Sequence, residues 1–145
     1  MRHDHAMPRR QWTLLLVSWL ASLASSVGSL FFSEVLGLEP CVLCWYQRIA
    51  MFPLVPILAI GLYKQDLYSV RYALPLAGAG TLIALYHFLL YTGFVPKGMQ
   101  PCGRGLSCAD VKLELAGFLT IPLMSLLAFS LILVLLVAAT RKSPQ

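Results

Sequence analysis

Long uncharged runs separated by short clusters of charge set the pattern of this chain. No Asp, Glu, Lys or Arg occurs from Trp12 to Phe32, and further apolar runs cover about 45–63, 72–92 and 116–140, with Arg48 the single charge among them. A helix needs on the order of 20 apolar residues to cross a hydrocarbon layer about 30 Å thick, so each run predicts one membrane-spanning helix. The first run exceeds the roughly 7 to 15 apolar residues of a signal peptide and lacks a clean A-x-A cleavage site at Ala24-Ser25-Ser26, which predicts a retained helix. Pro53 and Pro56 interrupt the second run, Gly78-Ala79-Gly80 offers the third a small surface for close packing, and Pro122 lies near the start of the fourth. The expected fold is an all-α integral membrane four-helix bundle over residues 1–145, with no separate soluble domain. Of its connections, Ser33–Pro40 reads as a short loop and Lys64–Arg71 as a polar turn between antiparallel neighbours. The longest polar stretch is Gly93–Glu114.

Composition agrees with that pattern. Of 145 residues, 59% are hydrophobic and only 12% charged, and the mean hydropathy is +0.76, outside the usage of soluble globular domains. The net charge of +5 comes from residues at the ends of apolar runs rather than from a patch interleaved with aromatics, so nucleic acid is not an expected partner. The charge sets orientation instead. Arg2, Arg9, Arg10, Lys64, Arg71, Arg141 and Lys142 fall on one face and Lys97, Arg104 and Lys112 on the other, which predicts that both termini are cytoplasmic.

On the opposite face lie all four cysteines, in the compartment where disulfides persist. Cys41-Val42-Leu43-Cys44 stands where the first polar loop meets the second span, and Cys102 and Cys108 lie in the Gly-rich Pro101-Cys102-Gly103-Arg104-Gly105-Leu106-Ser107-Cys108 of the second loop. A lone CxxC fits redox chemistry about as readily as it fits a structural disulfide and half a zinc site taken together. Zinc wants a regular ligand spacing that a CxxC and a distant C-x5-C do not supply, and no metal site is expected. A two-residue spacer constrains little chain entropy, so a structural role explains the first pair poorly. A relay explains both pairs: the loop pair meets a soluble protein, the pair at the lipid boundary meets a lipid-soluble electron carrier, and thiol–disulfide exchange joins them. Arg48, one helical turn from Cys44, either snorkels to the interface or acts on that chemistry. His87 either packs with a hydrogen bond or lines the same site.

Taken together, Cys41-Val42-Leu43-Cys44-Trp45-Tyr46-Gln47-Arg48, Tyr86-His87-Phe88-Leu89-Leu90-Tyr91, the Cys102–Cys108 segment and Gly117-Phe118-Leu119-Thr120-Ile121-Pro122 resemble the disulfide bond formation protein B (DsbB) family, and more closely its short BdbC-like branch. The resemblance covers most of the chain. It implies a quinone-reducing protein-disulfide oxidoreductase of the bacterial cytoplasmic membrane that reoxidises an extracytoplasmic DsbA-like thioredoxin-fold oxidase. It implies roles as well: Cys102 as the thiol the partner attacks, Cys108 as its disulfide mate and the one that exchanges with Cys41, and Cys44 facing the quinone. Arg48 and His87 would line the site of a ubiquinone or menaquinone. The second loop is shorter than in the longer branch. A quinone-coupled thiol enzyme of the vitamin K epoxide reductase type is the nearest alternative, although its CxxC usually comes late in the bundle. A non-enzymatic membrane protein with structural disulfides is another, and would show no response to quinone.

Overall fold

The computed structural model describes residues 7–37, 39–96 and 120–141. Those residues form helices α1 (Arg9–Glu34), α2 (Val42–Met51), α3 (Leu54–Lys64), α4 (Tyr68–Tyr91) and α5 (Ile121–Thr140), with no strand among them. Four stretches, Arg9–Glu34, Val42–Lys64, Tyr68–Tyr91 and Ile121–Thr140, are long and apolar enough to cross a membrane. The expected all-α bundle of four spans is therefore present. Its second span is made of two helices.

Proline makes that division. Pro53 has no N–H to donate back to Ile49, so α2 closes with Phe52 N–H on Arg48 O at 2.9 Å and α3 restarts with Ile57 N–H on Pro53 O at 3.2 Å. Pro56 falls in the first turn of α3, where its missing donor is needed least. After the break the two helices pack independently: α2 lies mainly on α4, whereas α3 lies on both α1 and α4. The four spans form a ring in chain order, closed by α5 against α1.

Small residues bring α4 close to its neighbours. Ala73, Ala77, Gly80 and Ala84 are buried along one stripe of α4, at spacings that share a helical face. The ring of Phe129 on α5 occupies the space a Cβ on Gly80 would need. Around this seam Leu15, Leu54, Leu58, Ile132 and Leu136 complete the core. Large apolar side chains also point outward, with Ile49 63%, Leu82 69% and Val134 65% exposed. In water these would be a liability, and in lipid they are the solvent-matched surface.

Between α3 and α4 the turn is shorter than the charge pattern implies. Gln65 takes a left-handed conformation (φ 51°) that ends α3, and Asp66 Oδ1 accepts from Tyr68 N–H at 2.9 Å, starting α4 at once. Lys64 and Arg71 belong to helix ends, not to a loop. The fourth described span starts at Ile121, with Pro122 in its first turn.

Candidate active site

Pro40 favours an extended residue before it, and the chain turns helical immediately afterwards with Cys41 as N-cap (φ −67°, ψ 167°) of α2. The sulfur does what a capping oxygen would: Cys41 Sγ accepts from Cys44 N–H at 3.4 Å. The two sulfurs stand 3.0 Å apart, both as free thiols. The third group at the sulfur comes from α4, where His87 Nε2 lies 3.9 Å from Cys41 Sγ. On its far side, His87 Nδ1 is 3.2 Å from the amide nitrogen of Gln47. Cys41, Gln47 and His87 are all buried.

Hydrogen bonds to the sulfur stabilise the thiolate. The thiol of Cys41 is held well below its ordinary pKa, first by the hydrogen bond with the Cys44 thiol, against the opposing effect of burial, and then by His87 and the Cys44 N–H. Its place at a helix N-terminus acts in the same direction. The CxxC therefore presents one sulfur prepared to carry negative charge.

Arg48 leaves the same helix on another side. Its Nε donates to Ser29 Oγ at 2.7 Å, and its Nη2 donates to Ser29 O at 2.7 Å and to Ser33 Oγ at 2.8 Å. The guanidinium carbon also lies 5.5 Å from the Trp45 ring centroid, a cation–π distance. Arg48 is thus clamped across to α1, and its relation to Cys44 is that both line one cavity. This cavity has a volume of about 400 Å³ and a mostly apolar wall from α1, α2 and α5, with Cys41 and His87 also on its lining. Ser26 lines it too, and its buried Oγ has no hydrogen-bond partner.

The structure brings together Cys41, Cys44, Arg48 and His87 of the residues expected from sequence. Cys102 and Cys108 lie outside the described residues. Sequence reasoning missed Gln47, Ser29 and Ser33. A readable signal existed for the serines, because Ser25, Ser29 and Ser33 recur every four residues along α1, as Ser18, Ser22 and Ser26 do beside them.

Comparison with known proteins gives one consistent answer. The family described as disulfide bond formation protein DsbB matches residues 9–139. A "probable disulfide formation protein" of Metapseudomonas resinovorans is 46% identical over 133 residues, covering 91% of this chain and 92% of that protein. "Disulfide bond formation protein C" of Bacillus subtilis (strain 168) is 43% identical, over 83% of this chain and 87% of its own length. No solved structure gives a significant match.

Proposed function

Since the chain belongs to the DsbB family of disulfide bond formation proteins, we propose that it reoxidises a DsbA-like thioredoxin-fold oxidase and passes the electrons to a membrane quinone. Disulfide formation by a multi-pass membrane protein is the property shared by the family and the four spanning helices. The quinone is the further step, and the observation carrying it is the placement of a CxxC on the wall of an apolar cavity that also holds a clamped arginine.

The residues present fit a quinone ring. A cavity of about 400 Å³ is within the size range of small-molecule sites. The unpartnered Ser26 hydroxyl on its wall suits a carbonyl oxygen. When bound, the quinone accepts two electrons and two protons. The protein's own groups hold the charges that accompany this. Cys44 lies at the cavity, Arg48 brings a permanent positive charge oriented by Ser29 and Ser33, and the apolar wall excludes water so that this charge acts at low dielectric. On the other side of the CxxC, Cys41 is the member prepared as thiolate, in keeping with the role of exchanging with the second pair. Cys102 would receive electrons from the partner, and Cys108 would pass them to Cys41.

The test mixes the purified protein with a reduced DsbA-like oxidase and either ubiquinone or menaquinone, and follows quinone absorbance. Quinone reduction should require the partner, the quinone and all of Cys41, Cys44, Cys102 and Cys108. Disulfide formation in the partner with no quinone consumed would overturn the electron route.

A further inference from the structure

A neutral imidazole has one N–H, and its neighbours decide which nitrogen carries it. At His87 the Nδ1 side faces the amide nitrogen of Gln47 at 3.2 Å. An amide nitrogen only donates, so Nδ1 is the acceptor and the ring proton sits on Nε2. That nitrogen points at Cys41 Sγ, 3.9 Å away. We propose that Gln47 is a positioning residue that holds His87 in its Nε2–H form, so that the imidazole donates its hydrogen bond to the sulfur of Cys41. The inference deepens the proposed function and rests on it for the role of Cys41 in exchange.

Burial makes the arrangement consequential. Gln47 is 7%, His87 2% and Cys41 5% exposed, so water competes little for either bond and each is stronger for it. In exchange at a disulfide that includes Cys41, an incoming thiolate forms a new S–S bond with the other sulfur. The old bond breaks with its electron pair on Cys41, which leaves as a thiolate and receives the Nε2–H bond. With the opposite tautomer, Nε2 would present a lone pair to that thiolate and repel it. Other charged or titratable groups around Cys41 are Cys44 and Arg48 on α2, Glu39 on the segment entering it, and Tyr86, which packs on the same cluster from α4. Among the described residues α5 brings none. The partner at Nδ1 of His87 is the Gln47 amide, which puts the tautomer under its control.

A buried amide that merely fills space would not move the pH response of a thiol, and this separates the two readings. The full chain with Cys41 as its single cysteine (Cys44→Ser, Cys102→Ala, Cys108→Ala) retains a hydroxyl donor in place of the Cys44 thiol. Its rate of alkylation by iodoacetamide is measured against pH, alone and with Gln47→Met, His87→Phe or both. Gln47→Met should raise the midpoint by roughly one pH unit, the effect of losing one hydrogen bond to a charged group. The double variant should go no further than His87→Phe, because both changes remove one bond to the sulfur. Nitrogen-15 NMR of the histidine ring in the full chain without the Gln47 or His87 substitutions should show Nε2 protonated and Nδ1 bare. Nδ1 protonated, a midpoint unmoved by Gln47→Met, or additive shifts in the double variant would each overturn the proposal. No quinone or partner enters these measurements, so failure of the electron route leaves them readable.

Discussion

At the scale of single residues, the charge on Arg48 matters less than the shape that holds it. Its Nε and Nη2 are committed to Ser29 and Ser33 on α1, a planar grip that a lysine ammonium has no means to copy. Arg48→Lys should therefore lower quinone-reduction turnover even though the formal charge persists. Loss of one charge-assisted hydrogen bond of roughly 1.5 to 3 kcal/mol in the transition state corresponds to about a 10- to 150-fold fall. Ser29→Ala removes one hydroxyl acceptor but leaves the carbonyl, and should cost less than about tenfold. Initial rates at several quinone concentrations, with thermal midpoints of each variant, check both; equal rates for Arg48→Lys and the parent protein would make Arg48 a topology anchor. The CxxC and Arg48 were legible in the sequence because reactive thiols and an intramembrane charge are rare in apolar runs. Gln47 was not, since an amide carries no charge and its importance comes from facing α4, a contact between residues 40 positions apart.

Among elements, the contact of α4 with α5 is sensitive to volume. The Phe129 ring is 1% exposed and lies where a Cβ on Gly80 would be built. Gly80→Ala should force the helices apart or push Phe129 off its rotamer, an overpacking cost of about 1 to 3 kcal/mol. The thermal midpoint in detergent should fall, and Phe129→Leu in the same chain should recover part of it; a Gly80→Ala midpoint equal to the parent protein's would disprove the close approach. Gly78-Ala79-Gly80 could be read as a packing surface from sequence, but only the fold shows that Gly80 meets a ring while Gly78 meets nothing within 4 Å. The proline break was legible as an interruption. Its consequence was not, because the division of labour between α2 on α4 and α3 on α1 depends on partners distant in the chain.

For the whole molecule, orientation is set by what lies at the two ends of the bundle. Four crossings return the chain to its starting face, and Gln11 Nε2 donates to Ala139 O at 3.1 Å, joining the start of α1 to the end of α5. That end carries Arg9, Arg10, Lys64, Arg71 and Arg141, together with exposed Trp12, Tyr63, Tyr68 and Tyr72, the aromatics that favour a membrane–water boundary. Arg71 adds a contact at 5.5 Å to the Tyr68 ring. The opposite end has Trp45, Tyr46 and Phe94 exposed, and its described arginine, Arg48, is held against α1. Basic side chains resist translocation, so the first end should be cytoplasmic and the CxxC should open to the outside. A chain with Cys102 as its sole cysteine should react with a membrane-impermeant maleimide in intact cells, and fluorescent protein fused at the C-terminus should fold and glow inside. Cys102 labelled only after permeabilisation would invert the molecule. It would also place the thiols in a reducing compartment, where a disulfide-forming protein has no use for them.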